Sequence, residues 1–515
     1  MSVPGMVDEP GAGDDASAAS ERAEVHQPGG VPRQTTANEP IAVGARRAAV
    51  DIAVQVMGRL GNLGLGVVVT LVIVRALGAR GFGQWSTIFA VTQIASNFGE
   101  LGLGQVAVAK AAAERARESR WLGALLSLRL VLALPIAAGS ALAVLLIAPT
   151  HDARTAGLLI AGATLVSAPA ALTAVFQMRV RNDISTAIMT LNSVLWTGGV
   201  VGASLTTHSI VVFAAIFFVC ATVSNAVTVG LALRVMPIRV RGGRELWGPL
   251  LAVGLRVGAA GVLVTLYVKL DQILVFEIAG AREAGLYGAV YRVLDQIQFI
   301  PISVMTTLFP LIASSHVSDP ARTRRLLQLT SEYLTMASLP ILAFTIVAAQ
   351  PIVKLLFGGQ LAGAAPALPI LMGAFVSISF GYLAGNMVVI LELQRAFLRY
   401  AAIGLGLNVG LNVALIPSYG FLAAAWVTLL TEVVVMGLTM RMVLGQLQMT
   451  PQLQRLGRIG VAALAMGGAA WGARALGVPL AGLVAVAGLT YPGALVLLGA
   501  LRAADIHAVL NKNPA

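Results

Sequence analysis

Charge is scarce in this chain. Only 11% of its 515 residues are Asp, Glu, Lys or Arg, against roughly 25% in an ordinary soluble domain, so a water-facing surface of this size could not be covered. Cysteine is nearly absent: Cys220 stands alone in an apolar run, which excludes a disulfide scaffold or a cysteine-metal framework. The five histidines (His26, His151, His208, His316 and His507) are isolated in breaks or in the N-terminal stretch and C-terminal tail, without zinc-ligand spacing. No lysine follows a glycine anywhere, which removes a Walker A loop, and no nucleophile constellation is visible. An enzyme is therefore not expected, nor a cofactor. The N-terminus has no basic start leading into an apolar run, so a secretory signal is not expected either.

What fills the chain is apolar. Hydrophobic residues make up 57%, glycine contributes 55 positions, and the mean hydropathy is +0.84. Small residues let helix backbones approach closely in a bilayer. From Ala48 onward, apolar runs alternate with short polar breaks, and a hydrocarbon core needs about 20 helical residues to cross. Fourteen candidate spans start near Ala49, Phe82, Trp121, Ala156, Ile184, Ser209, Pro249, Ala284, Leu327, Pro366, Ala396, Gly420, Leu456 and Val478. Residues 1–44, rich in Gly, Ala, Pro, Ser and acids, read as a disordered tail. The predicted fold class is an all-α integral membrane protein with about 14 transmembrane helices.

The net charge of +12 would invite a nucleic-acid partner if it were clustered, but it is spread by sidedness. With the tail inside, alternate breaks hold 22 basic residues on the inner side, among them Arg179, Arg181, Arg322, Arg324 and Arg395, against 6 outside (Arg75, Arg80, Arg154, Arg282, Lys354 and Arg474). That bias is the cytoplasmic enrichment that membrane insertion favours. Both termini are expected in the cytoplasm, and no nucleic acid is expected.

The sequence also repeats. Gly78, Ala79, Arg80, Gly83 and Trp85 match Gly280, Ala281, Arg282, Gly285 and Tyr287 at one offset of 202 residues, while Arg179 and Asn192 match Arg395 and Asn408 at an offset of 216. Six spans separate the copies, so the repeats run parallel and are related by a pseudo-two-fold axis along the membrane normal, a transporter arrangement with its site between the halves. The expected divisions are a six-helix lobe over 45–244, a second over 245–446, two additional helices over 447–502 and a cytoplasmic tail over 503–515.

The stretch from Arg75–Ala76–Leu77–Gly78 through Gly83–Gln84–Trp85, and then Asn97–Phe98–Gly99–Glu100–Leu101–Gly102–Leu103, resembles the opening signature of polysaccharide-biosynthesis flippases. These belong to the multidrug/oligosaccharidyl-lipid/polysaccharide exporter superfamily. Gly285–Leu286–Tyr287 to Tyr291–Arg292, Leu356–Phe357–Gly358 and Ile416–Pro417–Ser418–Tyr419–Gly420 are similar as well, so the resemblance spans about Val50 to Val443. It implies a two-lobe secondary transporter that moves an undecaprenyl-pyrophosphate-linked oligosaccharide across the bacterial inner membrane by alternating access. The expected partners are this lipid-linked substrate, membrane lipid, a coupling H+ or Na+ and a polysaccharide polymerase, with the chain itself a monomer. The alternatives are a drug or metabolite antiporter of the same superfamily, or a membrane-embedded glycan polymerase or glycosyltransferase.

Charge inside the bilayer is costly and marks function. Arg59, Arg129, Arg256, Lys269 and Arg292 are the candidate substrate-binding residues, since arginine offers forked donors to phosphate oxygens and lysine a compact charge. Asp271, Asp295 and Glu432 are the candidate ion-coupling residues. Counting helix rise from each turn puts Asp271 level with Arg292, Lys269 with Asp295, and Arg59 with Glu100, so these six could equally be structural ion pairs. Arg129 and Arg256 have no level acid in their own hairpins, and either meets a ligand or reaches to the membrane edge. Glu432 lies near mid-depth, where it is either a coupling site or a hydrogen-bonded tie between helices.

Overall fold

The computed structural model describes residues 41–179, 181–236, 243–450 and 453–500, with side chains from Gly61 onward except those of Leu63, Asn182, Val257, Ala260 and Leu453. The expected tail falls outside the described residues as far as residue 40. Every regular element among the described residues is helical. In chain order these are α1 (Ile41–Glu100), α2 (Leu103–Ala113), α3 (Glu118–Ile147), α4 (His151–Ser167), α5 (Thr173–Met178), α6 (Asn182–Ser204), α7 (Ile210–Val235) and α8 (Trp247–Ala279). There follow α9 (Ala281–Ile297), α10 (Phe299–Ser318), α11 (Pro320–Phe357), α12 (Ala367–Ile390), α13 (Gln394–Tyr419), α14 (Phe421–Leu447), α15 (Leu453–Ala475) and α16 (Leu480–Leu497).

Twelve helical stretches among the described residues are long and apolar enough to cross a membrane, and α8, bent by 59° between Arg256 and Gly261, makes a thirteenth. One of the twelve, Gly64–Ala113, runs for 50 residues, about 75 Å at 1.5 Å per residue, more than twice a hydrocarbon core of about 30 Å. It is in fact two helices joined at Gly78, whose φ of 64° and ψ of −177° interrupt α1. Counted as two, the spans number fourteen. Gly280, the repeat mate of Gly78, holds nearly the same conformation (φ 90°, ψ 172°) between α8 and α9. A side chain is disfavoured at such positive φ, so glycine is needed at both breaks. The repeat is thus a repeat of backbone geometry as well as of letters.

Local chemistry sets the other boundaries. Asp319 caps α11, its Oδ1 accepting from the Arg322 amide at 2.9 Å, with Pro320 at the first helical position, where its missing N–H costs nothing. Thr150 caps α4 in the same way, accepting from the Ala153 amide at 3.2 Å. Pro169 stands in the 3-10 turn Ala168–Leu172 that separates α4 from α5, while Pro135 and Pro340 lie within α3 and α11.

The core is divided unevenly along the helices. Around the turns that include Gly78 and Gly280, one apolar cluster joins both halves: Phe82 and Trp85 of α1 pack with Tyr287 and Leu294 of α9, Phe375 of α12 and Phe421 of α14. Toward the opposite helix ends there are two clusters, one in which Leu122 and Phe176 of the first half pack with Leu250 of α8, and one within the second half around Met305, Leu334 and Val443. The final helices α15 and α16 dock on α11, where Arg455 Nη1 donates to both Glu332 oxygens at 2.7 Å and the Tyr491 hydroxyl donates to the Met336 carbonyl at 2.8 Å.

Candidate functional site

The breaks and small residues of the first half open a cavity of about 530 Å³ between α1, α2, α3, α5 and α8. α1 stops at Glu100 because Leu101 and Gly102 both turn to positive φ, and the redirected chain leaves Asn97, Glu100 and Gln105 on the cavity wall with Arg129, Gln177 and Thr265. Arg129 Nη2 meets Glu100 Oε1 at 3.3 Å, and Nη1 points to the Gly99 carbonyl at 3.5 Å. The Arg129 side chain is only 16% exposed while that of Glu100 is 64% exposed. This corrects the depth argument for Arg129, which does have an acid beside it, Glu100. The side chain of Arg59 lies outside the described residues. A guanidinium has five N–H donors, so Arg129 keeps donors free for a ligand in the cavity.

Where the halves meet, Lys269 of α8 and Asp295 of α9 form the expected pair, Nζ to Oδ2 at 3.3 Å. The Lys269 ammonium also lies 5.0 Å from the centre of the Tyr291 ring. Arg292 lines the same narrow space with Gln93 and Asp295 and makes no ion pair among the described residues. The expected Arg292–Asp271 pair does not form. Asp271 and Lys269 are two residues apart on one helix, about 200° around its axis, so they meet different side chains: Lys269 turns to Asp295, and Asp271 to Tyr287 of α9 and to α13 and α14.

Asp271 meets neutral donors instead. It is 1% exposed; Oδ1 accepts from Asn412 Nδ2 at 2.9 Å, and Oδ2 accepts from the Thr428 hydroxyl at 2.7 Å and the Tyr287 hydroxyl at 3.1 Å. Asn412 Nδ2 also donates to Asn408 Oδ1 at 3.2 Å, and the buried Asn412 Oδ1 has no hydrogen-bond partner. Asn408, Asn412, Thr428 and Tyr287 were not among the expected site residues. A signal for the amides existed, since Asn408 and Asn412 are four apart and share one face of α13.

Glu432 lines a second large cavity, about 430 Å³, between α8, α9, α12, α13 and α14. It is 7% exposed, and Tyr267, Tyr291 and Tyr382 share the wall with it. Arg256 sits apart from both cavities: it is exposed, and its Nε donates to the Ala252 carbonyl of its own helix at 3.0 Å.

Fourteen apolar spans among the described residues, with polar cavities between them, make a multi-pass membrane transporter fold. The family model described as polysaccharide biosynthesis protein matches residues 49–316, and the chain belongs to that family. Its fold is similar to that of the lipid II flippase MurJ in an inward closed conformation (TM-score 0.70, 12% identity, covering 89% of this chain and 99% of that one). It is also similar to an inward-facing multidrug resistance MATE transporter of the MOP superfamily (0.59, 14%, 76% and 98%) and to a MOP superfamily transporter from Pyrococcus furiosus (0.55, 16%, 78% and 96%). No curated protein sequence matches significantly.

Proposed function

We propose that this protein is a flippase that carries an undecaprenyl-pyrophosphate-linked oligosaccharide, or a similar polysaccharide precursor, across the bacterial inner membrane by alternating access, with both termini in the cytoplasm. One observation carries the reading beyond the family. The halves share a large core around Gly78 and Gly280, whereas toward the opposite, arginine-rich ends the Arg129 cavity opens between helices of the first half and α8 of the second. With the arginine-rich ends in the cytoplasm, the structure is closed outside and receives its cargo from inside.

In this reading the Arg129 guanidinium, loosely held by an exposed Glu100, turns to pyrophosphate oxygens, which accept its forked donors more strongly than a neutral group would. Asn97, Gln105 and Gln177 offer amide donors and acceptors to sugar hydroxyls. Lys269 and Arg292, deeper and at the boundary of the halves, are the next cations along the path. Asp295 is committed to Lys269, which leaves Asp271 as the coupling acid: a buried carboxylate without a cation is costly, and Asn412 Oδ1 beside it is an acceptor with nothing to accept. A proton or a sodium ion at Asp271 answers both.

The test is export of a fluorescent lipid-linked glycan in proteoliposomes. Arg129→Gln abolishes transport, Arg129→Lys keeps part of it, and Asp271→Asn removes the dependence on an imposed H+ or Na+ gradient. Full export by a folded Arg129→Gln variant would take Arg129 out of the substrate path.

A further inference from the structure

The cavity around Glu432 has a chemistry unlike the rest of the protein. Its walls are Tyr267, Tyr291, Tyr382 and Phe397, with the amides of Gln298 and Asn386. The amides are partly committed, since Gln298 Oε1 accepts from the Tyr382 hydroxyl at 2.9 Å and Asn386 Nδ2 donates to the Tyr382 carbonyl at 2.7 Å. Glu432 is not committed to any base. It is more than nine-tenths buried, its polar neighbours are the Tyr267 hydroxyl and, further off, the acidic Asp271, and no Lys, Arg or His forms an ion pair with it among the described residues. Lys269, whose ammonium lies over Tyr291 on the cavity wall, is already neutralised by Asp295.

A carboxylate in such a place needs a positive partner, because an uncompensated buried charge is strongly unfavourable. A neutral sugar would leave that charge unanswered, and an anion would add to it. Tyrosine faces attract cations, and Tyr291 already does so in this structure with the Lys269 ammonium at 5.0 Å. A metal ion or a proton would satisfy Glu432 but would leave most of a 430 Å³ space empty against aromatic walls. That volume falls in the range of roughly 300–1,000 Å³ that holds drug-sized molecules.

We propose that the Glu432 cavity is a binding site for a monovalent organic cation, an amine or quaternary onium group on an apolar body, distinct from the Arg129 cavity. The charged centre sits against Glu432 and the tyrosine rings, and the apolar body lies along Phe397, Ile378 and Met436. The two cavities flank α8 from different sides, Val262 and Thr265 lining one and Val264 and Val268 the other.

The probe is radiolabelled tetraphenylphosphonium, measured by equilibrium dialysis against the full chain in lipid nanodiscs, with empty nanodiscs subtracted. Saturable binding near one per chain is expected. Glu432→Gln, which keeps the side-chain shape, weakens it by about tenfold or more, and Tyr382→Leu weakens it by several-fold. Arg129→Gln leaves it unchanged. Melting of each variant in the same nanodiscs shows that it is folded, and Tyr382→Leu, on a half-buried wall position, serves as the second probe if Glu432→Gln does not fold. Non-saturable binding, equal binding by folded Glu432→Gln, or unchanged binding by folded Tyr382→Leu overturns the proposal. So does complete displacement of the probe by millimolar sodium, which would assign the site to an inorganic cation.

Discussion

A methyl group added at Gly83 would stand 1.8 Å from the Ala281 carbonyl oxygen and 2.9 Å from the Gly285 amide nitrogen. Its repeat mate meets the mirror of this contact: a methyl at Gly285 would stand 1.8 Å from the Ala79 carbonyl oxygen. An ordinary carbon–oxygen contact is about 3.3 Å or longer, so either alanine must push the starts of the two helices apart by about 1.5 Å. Both neighbours are backbone atoms within the shared core, with no rotamer to give way. Overpacking of this kind costs about 1–3 kcal/mol, and occasionally more, and we take the upper end, about 3 kcal/mol, for each single variant. The double variant is the sharper measurement. One separation of the helices makes room for both methyls, so Gly83→Ala with Gly285→Ala is expected to cost about 3–4 kcal/mol instead of about 6, a coupling of about 2–3 kcal/mol. Equilibrium unfolding in mixed micelles gives these values, with Gly437→Ala, which meets nothing within 4 Å, as a neutral control. In the proposed transport cycle the contact exists only in the state closed at this end, so Gly83→Ala also shifts the population toward the open state. A cysteine at Ser86, 6% exposed at this contact, then reacts faster with a thiol reagent when Cys220 is replaced by serine. Wild-type stability of Gly83→Ala, or strictly additive penalties, would refute the geometry.

Lys269 and Asp295 form a pair whose side chains are 16% and 24% exposed, so neutralising either alone is expected to destabilise by about 2–4 kcal/mol, somewhat less than a fully buried pair. Lys269→Met with Asp295→Asn recovers melting temperature, and export by that double variant reports whether Lys269 also meets substrate. Arg256→Gln keeps wild-type stability and export, since no acid loses its partner and Arg256 sits apart from both cavities; loss of export by that folded variant would return Arg256 to the substrate path. In a Cys220→Ser background, cysteines at Thr206 and Ser418 are labelled from outside the cell and one at Ser318 is not; the reverse pattern would overturn the orientation.

The number of spans, the repeat and the two breaks at Gly78 and Gly280 were legible because each leaves a mark in one dimension, as a hydropathy run, an offset or a glycine. Pairing across helices was legible only in depth. Depth alone matched Lys269 with Asp295 correctly and Asp271 with Arg292 wrongly. Arg292 lies in the space shared with Lys269 and Asp295, whereas the Asp271 carboxylate is taken up by Asn412, Thr428 and Tyr287. Depth also missed Glu100 with Arg129, because the positive-φ break at Leu101 and Gly102 brings a third helix beside the end of α1. The neutral ring around Asp271 was the least visible part. Asn412 and Thr428 carry no charge to mark them against an apolar background, and they meet Asp271 only when α8, α13 and α14 are packed.

The repeated motif acquires a meaning in three dimensions that neither copy has alone. Ala79 and Gly83 in the first copy meet Gly285 and Ala281 in the second, so the motif packs against its own duplicate about the pseudo-two-fold axis. This is the geometry of an isologous dimer interface, in which the same patch serves on both sides and every change counts twice. Only glycine lets a carbonyl of the facing copy come so near, which accounts for glycine in both copies even though the flanking residues differ, Trp85 against Tyr287. The contact also fixes where the halves can move. With the largest shared core gathered around it, relative motion of the halves must either pivot at these glycines or part them. The cavities of Arg129 and Glu432 both lie away from the contact, where a pivot at these glycines has its largest amplitude.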